Sequence, residues 1–143
     1  MTMIAHTVAI QVRWSESDPA GIAFYPRFFE WFDIACAGLF DAVDLPWPVL
    51  FPSRGIIGVP IVESGARFLS PVRWGDTMTV TATVAWVKEK MFRVEYDVHV
   101  GARHCASGFE VRAWVGRPAS ADEPLRALPI PPDVSGKLQG GPR

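Results

Sequence analysis

The sequence is poor in cysteine and has almost no excess charge. Its two cysteines, Cys36 and Cys105, are too few for a disulfide framework. Cys36 falls in an apolar helical pattern and Cys105 on the apolar side of a strand pattern, so both read as core thiols. The formal net charge of -1 sets nucleic acid aside as the main partner, while leaving room for a small basic patch that meets one phosphorylated ligand. No uninterrupted apolar run reaches about 18 residues, so no membrane span is expected. Residues 1–6 lack the basic region and long apolar run of a signal peptide, and the expected location is the cytoplasm. His6, His99 and His104 show no metal-ligand spacing. A Gly-x-Ser-x-Gly elbow is missing, as are the phosphate-binding loops of nucleotide enzymes. Neither metal nor cofactor is expected.

What remains is one apolar domain: 143 residues, 49% of them hydrophobic. Residues 6–14 alternate, with Val8, Ile10, Val12 and Trp14 on one side, which predicts a strand. A turn over Asp18, Pro19, Ala20 and Gly21 leads to a helix whose first turn suits Pro26. That helix, through Val43, is apolar around most of its circumference and should be buried on nearly all sides. A Pro- and Gly-rich connection reaches Gly58. Strand patterns resume over residues 59–69, 77–86, 92–100 and 104–115, the last with Phe109, Val111, Ala113 and Val115 on its apolar face. Trp31 and Trp86 read as core. The expected architecture is α+β: a five-stranded antiparallel sheet curled around the one helix able to cover it. The domain should occupy residues 1–132, with 133–143 a disordered tail.

The loop residues 14–26, Trp-Ser-Glu-Ser-Asp-Pro-Ala-Gly-Ile-Ala-Phe-Tyr-Pro, run into an aromatic-rich helix. This stretch resembles the active-site loop of hot-dog thioesterases of the 4-hydroxybenzoyl-CoA thioesterase type. The similarity continues through residues 54–62, the Arg67-Phe68 pair, Trp74-Gly75-Asp76 and Leu125-Arg126-Ala127. Three features depart from or narrow the pattern. Glu16 stands where the family usually has Asp; Pro26 stands where Tol-Pal-associated relatives carry His, which favours the aromatic acyl-CoA branch; and Glu89 interrupts the family's basic cluster. The resemblance implies a hot-dog fold, acyl-CoA as the ligand, and dimers with a ten-stranded sheet that pair into a homotetramer whose sites draw on both subunits.

Thioester hydrolysis needs a nucleophile or base and a donor for the developing oxyanion. Asp18 lies in a turn shortly before a helix start, whose unpaired N–H groups near Tyr25 can be that donor. Asp18 attacks directly or deprotonates water; alternatively it serves only as an Asx-turn or cap. Asp33, within the apolar helix, needs a partner: a backbone or Arg group, or a substrate hydroxyl, as the family's helix aspartate implies. Trp47 and Phe51 either line an aromatic acyl pocket or close the core. Glu63, after Ile61 and Val62, either meets substrate, with Ile61 beside it, or faces solvent. Lys88, Lys90 and Arg126 match the family's phosphate-binding positions, or form an ordinary charged turn. The leading expectation is hydrolysis of an aromatic acyl-CoA. The alternatives are a thioesterase for short or medium aliphatic acyl-CoA and a non-catalytic acyl-CoA binder.

Overall fold

A computed structural model describes residues 3–141; residues 1, 2, 142 and 143, at the ends of the expected domain and tail, lie outside it. Strand β1 (Ala5–Gln11) is followed by a 3-10 turn at Trp14–Glu16, helix α1 (Arg27–Asp41), helix α2 (Trp47–Arg54) and the short strand β2 (Ile56–Gly58). Then come β3 (Ile61–Phe68), β4 (Thr77–Val87), β5 (Met91–Val100), β6 (Arg103–Ala113), β7 (Val115–Gly116) and helix α3 (Pro132–Leu138). Five strands form one antiparallel sheet in the order β1-β4-β5-β6-β3, so β1 and β3 are its edges. β2 and β7 pair separately.

The sheet wraps α1, as the sequence predicts. Phe28, Trp31, Phe32, Ala35, Cys36, Leu39 and Phe40 recur at helical spacing and are buried. Phe32 stacks on Tyr96 of β5 with centroids 4.6 Å apart. This close layer depends on Gly108 of β6, where a Cβ would come within 2.5 Å of the Phe32 ring. The expectation of burial on nearly all sides is too broad, because the sheet covers only one side of α1: Ile34 is 51% exposed. Trp31 is fully buried, whereas Trp86 is half-buried with the Lys88 ammonium 4.4 Å above its ring.

Other differences have clear physical causes. The first strand stops at Gln11; Trp14 turns outward and meets Trp74 edge-on at 4.9 Å. The connection after α1 contains α2, which a left-handed Gly55 (φ 65°) terminates. The tail expected to be disordered forms α3 instead: Val134 and Leu138 are buried in the core, and Arg54 holds Asp133 through two hydrogen bonds of 2.9 and 2.5 Å. Both apolar residues lie four apart, the helical spacing that lets one face dock.

β6 turns a charged face to the helix, although Val111 and Ala113 of the expected apolar face are buried as well. Pairing with β5 sets Glu110 opposite Val94 and Arg112 opposite Phe92, so these two charges point at the helix. Phe109 points outward, where the Arg93 guanidinium lies 4.0 Å over its ring. Buried charges are tolerated there because they satisfy one another.

Candidate active site

Residues 16–24 fold into a small hairpin of their own. Phe24 N–H donates to Glu16 O at 2.8 Å, and Asp18 N–H to Ile22 O at 2.8 Å. Gly21 N–H closes the turn on Asp18 O at 2.9 Å, with Gly21 at φ 79°. A three-residue hairpin loop ending in a left-handed residue needs glycine there. The hairpin is tied to the next loop by Ala23 N–H to Val72 O at 2.7 Å and by a bridge between Ile22 and Arg73. Asp76, from the Trp-Gly-Asp segment, braces that loop: its carboxylate accepts Arg73 N–H at 2.9 Å and its carbonyl accepts Val12 N–H at 2.8 Å.

Glu16 anchors the hairpin from below. Only 4% exposed, it accepts the Arg13 backbone N–H at 2.8 Å, Arg13 Nε at 3.3 Å and Trp31 Nε1 at 3.0 Å. Burial alone would raise its carboxyl above the ordinary 4.5, but the hydrogen bonds from Arg13 and Trp31 and the Arg13 charge outweigh it and hold it lower. A depressed folded value contributes stability above the unfolded value, which is lost as pH falls through the folded one. The melting temperature of the wild type should therefore decline below about pH 4.5. Glu16→Gln should lower it at neutral pH and flatten that acid limb. Parallel melting curves of wild type and variant across this range would contradict the anchor role.

Asp18 is half-buried at the tip. Its Oδ1 accepts Ala20 N–H at 2.8 Å, so the Asx-turn expected as an alternative is present. That bond uses one oxygen; Oδ2 meets no donor among the described residues. Tyr25, just before α1, has a backbone N–H without an acceptor among the described residues, at the positive end of a 15-residue helix. Its ring is exposed and meets Phe68 edge-on at 6.3 Å. An apolar cavity of about 380 Å3 lies alongside, lined by Ile22, Tyr25, Phe28, Phe68, Leu69 and Val72. An apolar cavity lined by Tyr25 and by Ile22 of the hairpin that carries the free Asp18 oxygen matches what acyl transfer needs.

A second group gathers at the other end of β3. Asp33 finds an arginine partner: Arg112 Nη2 donates to its Oδ1 at 2.7 Å. Arg112, 4% exposed, also donates through Nη1 to Val59 O at 3.0 Å and through Nε and Nη2 to Glu110 Oε1 at 3.1 and 2.9 Å. Glu110, fully buried, accepts the Tyr96 hydroxyl at 2.5 Å. Burial opposes the charge on Arg112, but the Glu110 charge and the hydrogen bond to Asp33 outweigh it and keep the guanidinium protonated. Burial pushes the Cys36 thiol up to about 12, so it stays neutral.

Trp47 and Phe51 stack at 5.6 Å and share a cleft of about 260 Å3 with Arg112, Ile57 and Val59. Trp47 also packs at 5.7 Å against Phe40, so it serves the core and the cleft together. Ile61 and Glu63, on the edge strand, are exposed, and no polar partner among the described residues holds the Glu63 side chain. Lys88 and Lys90 sit on the exposed β4–β5 hairpin. Backbone bonds from Trp114 to Lys90 at 2.9 Å and from Ile130 to Glu89 at 2.8 Å lay the tail beside that hairpin. Arg126 follows the same path and, with Arg117 and Glu123, lines a cavity of about 440 Å3. Sequence reasoning missed Glu110, Arg112 and Arg117. The available signal was the pair of opposite charges two residues apart on one strand, on the same face as Gly108.

Residues 12–138 match the family model described as thioesterase-like superfamily. The chain is 28% identical to the 4-hydroxybenzoyl-CoA thioesterase of Pseudomonas sp. strain CBS-3 over 136 residues, covering 89% of this chain and 92% of that one. A variant of 4-hydroxybenzoyl-CoA thioesterase, solved with 4-hydroxybenzoyl-CoA, superimposes with a TM-score of 0.82 at 27% identity, over 94% of this chain and 98% of the other. A gentisyl-coenzyme A thioesterase structure gives a TM-score of 0.79 at 29% identity, over 90% of this chain and 98% of its own. With the five-stranded sheet around α1 and a match spanning nearly its whole length, this chain belongs to the thioesterase-like superfamily and has the hot-dog fold.

Proposed function

We propose that the protein hydrolyses an aromatic acyl-CoA thioester to the free carboxylic acid and CoA. One observation carries the reading: among the described residues, a carboxylate oxygen of Asp18, in the hairpin that leads into α1, and the N–H of Tyr25, at the start of α1, are both left unpaired. Asp18 is the nucleophile or the base that activates water. The Tyr25 N–H, reinforced by the α1 dipole, takes the developing oxyanion. Trp47 and Phe51 supply flat walls for the ring, and Lys88, Lys90 and Arg126 meet the nucleotide phosphates. The ring substrates named for 4-hydroxybenzoyl-CoA and gentisyl-CoA thioesterases support an aromatic acyl group. A thiol-release assay over benzoyl-, hydroxybenzoyl-, acetyl- and hexanoyl-CoA tests it. The aryl esters should show the higher kcat/KM. Hexanoyl-CoA turning over tenfold better would replace the aromatic reading with the aliphatic one.

Assembly is part of the same reading. Tyr25 and, through Ile22, the hairpin that carries Asp18 lie at the Phe68 end of β3, whereas the register sets Arg112 opposite Ile61 at its start. β3 is an edge, with Ile61, Val62 and Phe68 44%, 57% and 48% exposed. An apolar edge of that kind invites pairing. If two copies pair antiparallel through β3, the two-fold axis sets the Phe68 end of one against the Ile61 end of the other. The catalytic loop of one subunit then faces Asp33, Glu63 and Trp47 of its mate. Two such dimers form the tetramer. Light scattering at low micromolar concentration should give a multiple of the chain mass; a lone 15.8 kDa species would reject the shared site. Two buried free thiols suit the reducing cytoplasm. Among the described residues, no helix is long and apolar enough to cross a membrane.

A further inference from the structure

We propose that Arg112 is a positioning residue for acyl selection: it holds Asp33 as a fixed hydrogen-bond acceptor next to the Trp47–Phe51 cleft, so that a ring bearing a hydroxyl is preferred over an unsubstituted ring. The inference rests on the aromatic acyl-CoA reading.

Asp33 by itself is a poor selector. It stands mid-helix with its side chain 55% exposed, where a short carboxylate would be hydrated and free to rotate. Arg112 changes that. Its planar fork is held from behind by Glu110 through Nε and Nη2 and by Val59 O through Nη1. Glu110 is held in turn by the Tyr96 hydroxyl. A guanidinium so bound cannot swing, and the direction of its remaining bond to Asp33 Oδ1, 2.7 Å long, is set. Asp33 Oδ1 is occupied and Oδ2 alone remains free among the described residues.

The same guanidinium lies 5.3 Å from the Trp47 ring and lines the cleft. Trp47 Nε1–H is itself buried with no acceptor among the described residues. Among the described residues the region therefore offers a free acceptor on Asp33, in addition to the buried Glu110 Oε2, and a free donor on Trp47. A ring hydroxyl is the small group that answers both, since it donates and accepts. Two carboxylates around one guanidinium leave the cluster an electron-rich acceptor, which suits a neutral O–H donor. An unsubstituted ring would strip water from these groups without replacing its hydrogen bonds, the situation in which polar sites discriminate most strongly.

The test is the ratio of kcat/KM for 4-hydroxybenzoyl-CoA to that for benzoyl-CoA. It is measured in the wild type, Arg112→Lys, Asp33→Asn, the combination of those two, and the double variant Glu110→Gln, Arg112→Met. Arg112→Lys keeps the charge and loses the fork. The Glu110–Arg112 double variant removes both buried charges together, which protects folding should Arg112→Lys fail to fold. The wild type should prefer the hydroxylated ring roughly 10- to 100-fold, the range of one charge-assisted hydrogen bond. Both Arg112 variants should bring the ratio toward one. Adding Asp33→Asn to Arg112→Lys should lower it no further, because the two residues act as one unit. A wild-type preference that survives in the folded Arg112 variants, or additive losses in the combined variant, would overturn the role of Arg112 alone. Wild-type protein that hydrolyses hexanoyl-CoA but neither aryl ester would overturn the substrate reading beneath it.

Discussion

Asp18→Asn should lower kcat for an aryl-CoA ester by about 10^3- to 10^4-fold, the size expected when a nucleophile or positioned base is lost, while the protein folds as before. The fold should survive because the amide oxygen can keep the one structural bond Asp18 makes, the acceptance of Ala20 N–H at 2.8 Å. The hairpin is otherwise closed by backbone bonds on either side, Asp18 N–H to Ile22 O and Gly21 N–H to Asp18 O, which the substitution leaves alone. What disappears is the negative charge on the second oxygen, and with it both the attack on the thioester carbonyl and the capture of a proton from water. Rates are read by thiol release and folding by far-UV circular dichroism and thermal melting. Hydrolysis within tenfold of wild type by a folded variant would mean that Asp18 is only a turn former, and the mechanism proposed here would fall.

Arg112→Met alone should destabilise the protein by about 3–5 kcal/mol, the cost of leaving one member of a buried ion pair without the other. Glu110 is fully buried, and its Oε2 already lacks a partner among the described residues; without Arg112 only the Tyr96 hydroxyl would face its charge. Asp33 contributes little to this loss because its side chain is more than half exposed. Adding Glu110→Gln should restore most of the stability, since replacing the pair together removes the stranded charge. Urea denaturation of the two variants measures both steps. A single variant within about 1 kcal/mol of wild type would show that the pair does not lock the helix to the sheet.

Period and turn chemistry were legible from the residues. The alternation of Met78, Val80, Ala82 and Val84 against the threonines between them is the pattern of β4 as found, with those four buried. Asp18 before a Pro-Ala-Gly turn, with Pro26 at the helix entrance, placed a tight turn ahead of the long helix, where the structure has it. Asp33 was legible as a helix charge in need of a partner, and an arginine was among the partners expected. These features are local: a two-residue or 3.6-residue period and a left-handed glycine are set by neighbours along the chain.

Other features depended on neighbours distant in sequence. Trp14 and Phe109 carry the pattern of core residues, yet Trp14 packs on Trp74 outside and Phe109 faces outward under Arg93. On β6 the charged residues turn inward, because Tyr96 from β5 and Asp33 from α1 are there to satisfy them; pattern alone assumes that polar side chains find water. The tail offers only a weak local signal for a helix, and α3 exists because the core accepts Val134 and Leu138. Local sequence thus determined the strands of the sheet, the long helix and the Asp18 turn, through periodicity and turn geometry. Only the tertiary structure decided which face of β6 meets the helix, what holds Asp33, and that the Asp18 hairpin and the aromatic cleft stand at opposite ends of one exposed strand, because each of these depends on contacts between residues far apart along the chain.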